Sequence, residues 1–183
     1  MGAVLLTLVG CTAGTPQEPG SADSAPSSQA AAPTALSCEA VAAVAGPITS
    51  ELQFSAADST DEPDDLSCVW ISSEVAEASS DLDSYGSLAI AFDPGTWSDA
   101  DLDSAEQMGT VVEDPRVDAV GGRLIVSGEG AALADAGIVQ LLFPKGTVTI
   151  VTAGALLSAA SSEVVPSVDD AVGVAASVAE LAG

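Results

Sequence analysis

The chain has 183 residues, of which 48% are hydrophobic and 3% aromatic, which predicts one domain with a core packed by Val, Leu and Ile. Twenty-seven acidic residues face only three basic ones, Arg116, Arg123 and Lys145, so the formal net charge is −24 at pH 7 without any histidine. Such a charge repels phosphate backbones and anionic lipid headgroups, which excludes nucleic-acid binding and disfavours adsorption of the folded surface to a membrane.

A short apolar run opens the chain and ends at a cysteine. Residues 3–9, AVLLTLV, are typical of the end of a secretory hydrophobic region and are too short to span a bilayer. The order LVGC at 8–11 resembles a bacterial lipobox. The resemblance implies that residues 1–10 are a lipoprotein signal peptide and that Cys11 carries a diacylglyceryl group, which anchors the protein at the extracytoplasmic face of the cell membrane. An ordinary export signal followed by an unmodified cysteine is the alternative.

The lipobox is followed by a stretch of low complexity. Pro, Ser, Gly and Ala dominate residues 12–36, and no apolar periodicity is present. We therefore expect residues 11–36 to form a disordered tether, with a folded domain at 37–183. A coil of this length holds a domain roughly 25–30 Å from its anchor.

Two further cysteines, Cys38 and Cys68, lie in the expected domain. An even pair in an exported domain predicts a structural disulfide. Its loop of about 30 residues is worth roughly 3–4 kcal/mol in the chain-entropy model. The spacing does not fit a CxxC redox pair, and a zinc site would lack histidine ligands.

The first predicted helix covers residues 37–47. Ser37 is a suitable N-cap, Glu39 stands at the positive end of the helix dipole, and Gly46-Pro47 is expected to stop the helix.

An acidic loop at 58–65 follows, and then two predicted strands, 66–72 and 87–93. Period-two alternation places Cys68 and Trp70 on one face of the first strand, so the bridge would pin the first helix to it.

The middle of the chain contains a second predicted helix, 98–108, capped by Ser98, with Leu102, Ala105 and Met108 toward the core. Residues 116–127 contain Gly121-Gly122. They predict either a tight hairpin or a loop that leads into a strand at 123–126.

The clearest hairpin comes late in the sequence. Two β-rich runs, 138–143 and 147–152, flank a Pro-Lys-Gly turn. The last helix is predicted over 166–182, where Ser167 and Asp170 form a capping-box-like start.

Taken in order, these features resemble a family of actinobacterial envelope lipoproteins, the domain of unknown function 3558 type. The match rests on the lipobox cysteine, the tether, Ser37-Cys38 before a helix rich in Ala and Val, SCVW at 67–70, the segment 117–122, the late hairpin and the C-terminal helix. The resemblance covers about 37–183. It implies an α+β domain with helices packed on one face of an antiparallel sheet, and it carries no established activity or catalytic residues.

The residues argue against an enzyme. Without histidine there is no Ser-His or Cys-His arrangement, and neither a GxSxG nor an SxxK motif occurs. Asp99, Asp101 and Asp103 alternate as in a calcium loop, but the Gly and Glu of an EF-hand are absent, so a helix start explains them better. The loop 58–65 could bind a divalent ion only weakly. We expect no cofactor, no specific metal site and no catalytic residue.

Two classes of function remain for such a chain. The first is a non-catalytic module that binds another protein of the cell envelope. The alternative is a carrier for a lipid or other small hydrophobic molecule. A carrier needs an apolar cavity of several hundred cubic ångströms, whereas a module needs a filled core and an exposed patch.

Overall fold

The computed structural model of the chain describes residues 36–72, 86–105, 110–128, 130–153 and 166–183. Thr34–Gly183 forms one compact unit, an antiparallel sheet combined with helices, so the α+β class is confirmed. In chain order the elements are α1 (Cys38–Thr49), β1 (Leu52–Phe54), β2 (Thr60–Glu62), β3 (Asp65–Ser72), β4 (Ser87–Pro94), α2 (Asp99–Ala105), β5 (Thr110–Val112), α3 (Pro115–Ala119), β6 (Arg123–Val126), α4 (Leu133–Ala136), β7 (Ile138–Phe143), β8 (Gly146–Ala153) and α5 (Val168–Ala182).

The strand order within the described residues is β1-β3-β4-β8-β7-β6-β5, and β2 also pairs with β3. Each of these pairings is antiparallel. The two short strands share one side of β3: β2 lies along its first half and β1 along its second half. The loop between them, residues 55–59, therefore lies at this edge of the sheet.

One face of the sheet is covered by α1 and α5. The helix α1 contacts β3 and α5, and α5 also contacts β7 and β8. Side chains alternate along the central strands, which turns every second residue toward the helices. The core is built largely from aliphatic side chains, including Val41, Leu88, Ile90, Leu124, Leu141, Ile150 and Val174.

A second, smaller cluster lies on the opposite face. Leu102 and Ala105 of α2 pack there against Ile125 and Leu142, with Trp97 beside them. The strands β6 and β7 end in three consecutive buried apolar residues, so they need cover on both faces. The main helical layer thus lies on one face, as expected, and α2 adds a partial cover on the other.

The first helix begins where expected but ends later. The Ser37 side chain accepts a hydrogen bond from the Ala40 amide at 3.3 Å, which confirms the N-cap. The expected stop at Gly46-Pro47 is wrong, because α1 continues to Thr49 with Pro47 inside it. Burial of Ile48, which is 1% exposed, stabilises the last turn against the proline.

Five short elements of the described structure were not predicted from the sequence: β1, β2, β5, α3 and α4. Residues 60–62 of the expected acidic loop pair with β3 as β2. Between 115 and 119 the chain forms α3, so a tight hairpin over 116–127 is wrong. The strand at 123–126 is confirmed, although α3 takes the place of part of the expected loop. Gly122 lies shortly after this helix. A Cβ atom at this position would lie only 2.6 Å from Leu141 Cδ1.

The remaining predicted elements are confirmed. Both expected strands, the late hairpin and the C-terminal helix are present, and Ser167 and Asp170 form a reciprocal capping box. The helix expected over 98–108 is α2 up to Ala105, whereas the expected core residue Met108 lies outside the described residues.

Candidate functional site

A surface groove of about 480 Å³ lies between α1 and the strands β1 and β2. We call it the α1–β1 groove. Its lining is almost wholly apolar in area. The lining residues are Cys38, Glu39 and Ala42 from α1, Phe54 from β1, Ala56 and Ser59 from the loop, and Asp61 from β2.

The most unusual residue of the groove is Phe54. Its side chain is 45% exposed although it belongs to a strand. The ring makes an edge-on contact with Trp70, at 5.5 Å between ring centroids, and Trp70 itself is only 4% exposed. One side of the Phe54 ring is thus held by the core, while the rest is available to a partner.

The loop that forms one wall of the groove is tied to the sheet by hydrogen bonds. The Ser55 amide donates to the Val69 carbonyl at 2.8 Å, and the Val69 amide donates to Ser59 Oγ at 2.9 Å. Ser59 Oγ donates in turn to the Ser55 carbonyl at 2.7 Å, and Ser55 Oγ donates to Asp58 Oδ2 at 2.6 Å. These contacts position Ala56 without packing it into the core.

The other wall is fixed by the disulfide between Cys38 and Cys68, which joins the first residue of α1 to β3. Both cysteines are buried, at 4% and 0% exposure. The predicted bridge is therefore present, and it holds the helix that carries Glu39 and Ala42 against the sheet.

The rim of the groove carries negative charge that no described basic side chain neutralises. Glu39 and Asp61 are both exposed. The chain has only three basic residues, and each of them has its acceptors elsewhere. Their partners are Asp114 and Asp169 for Arg116, Asp103 for Arg123, and the Gly183 carbonyl for Lys145.

The strongest ion-pair cluster lies between α3 and α5, and we call it the arginine corner. Arg116 Nη2 lies 2.7 Å from Asp114 Oδ2 and 2.6 Å from Asp169 Oδ1. Hydrogen bonding from Arg116 lowers the pKa of Asp114 to about 2. The same contact with Asp114, followed by that with Asp169, raises the pKa of the Arg116 guanidinium. A Cβ at Gly173 would lie 3.2 Å from Arg116 Nη1, so the small residue in α5 gives the guanidinium room.

A second groove, of about 420 Å³, lies beside Trp97. Its lining includes Asp93, Asp101 and Thr147, and Trp97 Nε1 donates to Thr147 Oγ1 at 3.2 Å. It is more polar than the α1–β1 groove, and its aromatic ring packs on the α2 cluster rather than standing free.

The other candidate residues named in the sequence analysis have structural roles in the fold. Trp70 belongs to the core and Trp97 to the α2 cluster. The helix-start interpretation of the alternating aspartates is confirmed, because Asp101 Oδ2 accepts from the Ser98 amide at 3.1 Å and from its hydroxyl at 2.6 Å. These bonds lower the pKa of Asp101. Within the described ranges no group of three or more Asp, Glu or Cys is arranged to hold a metal.

Cys11 and the expected signal peptide lie outside the described residues. None of the helices in the described part combines the length and hydropathy that crossing a bilayer requires.

Sequence reasoning missed Phe54, Ala42 and Ala56 as surface residues of one groove. The available signal was a phenylalanine in the short segment LQFS at 52–55. Comparison of the chain with known protein families, characterised proteins and solved structures gave no match.

Proposed function

We propose that this chain is a lipid-anchored, non-catalytic interaction module of the cell envelope, and that the α1–β1 groove is its docking site for a partner protein. The observation that carries the proposal is the exposed Phe54 ring, held on Trp70 at the edge of an apolar groove. Partly exposed aromatic rings are preferred anchors at protein interfaces.

The absence of a catalytic role in the proposal rests on residue types. The chain has no histidine, and the two cysteines of the described domain are joined to each other. Neither a general base of the His type nor a free thiol nucleophile is therefore supplied by these residues.

The anchor in the proposal rests on the lipobox resemblance at 8–11 and on the low-complexity residues that follow. The order of SC at 37–38, SCVW at 67–70 and the late hairpin supports membership in the domain of unknown function 3558 family. We expect mass spectrometry of the membrane-extracted protein to show an acylated N-terminal Cys11. Release of a Cys11→Ser variant from the membrane would agree, and an unmodified Cys11 in the native protein would refute the anchor.

Docking is tested by a photo-reactive benzoylphenylalanine placed at position 54 in living cells that produce the protein. The control is the same probe at position 181, because Leu181 is also 45% exposed. The proposal predicts a discrete protein adduct from position 54 and none of the same mass from position 181. Ala42→Trp, which fills the groove, should abolish the adduct, whereas Ala43→Trp on the next exposed residue should not. Equal labelling from both positions would refute the proposal.

The carrier remains the second candidate because the groove combines several hundred cubic ångströms with an apolar lining. A carrier would retain a small molecule in native mass spectra of gently extracted protein, and Ala42→Trp would remove that extra mass. The docking proposal predicts that the native and denatured spectra give the same protein mass, with no retained small molecule.

A further inference from the structure

We infer that the segment that docks in the α1–β1 groove is a basic amphipathic peptide, with an apolar residue flanked by Lys or Arg. This inference rests on the docking proposal above and specifies the chemistry of the partner. It follows from the charge around the groove, from its apolar floor and from the exposed face of Phe54.

The charge of the groove favours a cationic partner. Glu39 on α1 and Asp61 on β2 both line the groove, and both are exposed. The positive end of the α1 dipole also lies here, but it is equivalent to roughly half a charge against two full carboxylates. The local potential is therefore negative, and an anionic lipid or phosphate group would be repelled.

Among the described residues, none of the three basic side chains is placed to neutralise these carboxylates. The three basic side chains are engaged at Asp114 and Asp169, at Asp103 and at the Gly183 carbonyl. A charge supplied by a partner would thus meet carboxylates that have no competing basic side chain of this chain.

The floor of the groove selects for an apolar group between the charges. The side chains of Ala42 and Ala56 are small, so they leave room beside the Phe54 ring. That ring can pack on an aliphatic or aromatic side chain, and its face attracts an ammonium or guanidinium group. A segment that carries both kinds of side chain matches the groove better than a purely apolar or purely basic one.

The probe for this inference is a set of three dye-labelled hexapeptides, KLFKLK, QLFQLQ and ELFELE, acetylated and amidated at their ends. Binding to the whole purified chain is measured by fluorescence anisotropy in 0.15 M salt. At that ionic strength the screening length is about 8 Å, so the general charge of the protein contributes little and the carboxylates near the bound peptide dominate. We expect KLFKLK to bind most tightly and ELFELE least tightly.

A pair of double variants separates local charge from net charge. Glu39→Gln with Asp61→Asn removes two charges from the groove, and Asp99→Asn with Asp118→Asn removes two from α2 and α3. Glu39 of the groove pair and both carboxylates of the control pair lie in the first turn of a helix, so removing a charge from a helix start is not peculiar to the groove pair. We expect the groove pair to bind KLFKLK about fivefold more weakly and the control pair to bind it with nearly unchanged affinity.

Phe54→Ala tests the apolar component of binding. Because the Phe54 side chain is 45% exposed, we expect the variant to fold, and circular dichroism checks this. It should weaken all peptides that contain Leu and Phe, whatever their charge. Equal affinity for the three peptides, or an equal loss in both double variants, would overturn the inference on basic partners. Such a result would leave docking itself to be judged by cross-linking at position 54, so the two failures are distinguishable.

Discussion

Two regions of the domain use their carboxylates in opposite ways. At the arginine corner, Arg116 pairs with Asp114 and Asp169 at 2.7 and 2.6 Å and joins α3 to α5. At the α1–β1 groove, Glu39 and Asp61 stand beside an exposed aromatic ring, and the basic residues of the chain are engaged elsewhere. In a chain with three basic residues, paired carboxylates thus serve the fold. The groove carboxylates form no ion pair with a described residue, and these are the ones that we propose to meet a partner.

The largest expected effect concerns the wall of the groove. Cys38→Ser or Cys68→Ser removes the covalent link between α1 and β3 and should lower the free energy of unfolding by roughly 2–5 kcal/mol. Urea denaturation with and without reductant measures the loss, and the variants should resemble the reduced wild type. Two free thiols in the unreduced native protein would contradict the bridge.

The next effect breaks the arginine corner. Arg116→Gln leaves Asp114 and Asp169 without their cation and should destabilise the domain by about 1 kcal/mol. The control is Arg123→Gln, because Arg123 makes a single 3.1 Å pair with Asp103, whose side chain is 69% exposed. Arg123→Gln should lower the free energy of unfolding by less than Arg116→Gln, as measured by thermal or urea denaturation. Equal losses would show that the two ion pairs of Arg116 stabilise the domain no more than the single ion pair of Arg123.

The pH dependence of stability sharpens the same comparison. The pKa of Asp114 is lowered to about 2 in the folded state, from 3.8. Its contribution to stability is therefore fully present above about pH 4 and is lost as the pH falls toward 2. Asp114→Asn, which keeps a capping side chain, should be less stable than wild type at pH 6, and the difference should shrink between pH 4 and pH 2. A difference independent of pH would contradict the ion pair.

The smallest effect on stability is expected at the groove. Glu39→Gln with Asp61→Asn should change the free energy of unfolding by no more than about 0.5 kcal/mol, because both side chains are exposed and neither forms an ion pair with a described residue. Urea denaturation would measure this change in the free energy of unfolding. A loss as large as that of Arg116→Gln would mean that these carboxylates serve the fold, which would remove the contrast between the two regions.

Much of the fold could be predicted from the sequence because its signals are local. The caps at Ser37 and Ser167, the alternation around Trp70 and the turn after Phe143 each depend on residues close in sequence. The extension of α1 past Pro47 could not be predicted, since it depends on burial of Ile48 in the core.

The groove was beyond sequence reasoning for a related reason. Its walls come from α1, β1 and β2, and both strands are only three residues long. Neither strand is long enough to show a period. Their positions depend on pairing with β3, at the edge that the disulfide joins to α1. The charge pattern that distinguishes the groove appears only when the partners of Arg116, Arg123 and Lys145 are known.

The most direct test of the account is a nuclear magnetic resonance titration of the ¹⁵N-labelled protein with the peptide KLFKLK in 0.15 M salt. The account predicts shifts concentrated in the first turn of α1, in β1 and in residues 55–61, with little change in α3 and α5. Shifts spread over the acidic surface, or centred on the arginine corner, would contradict the assignment of the α1–β1 groove as the binding site.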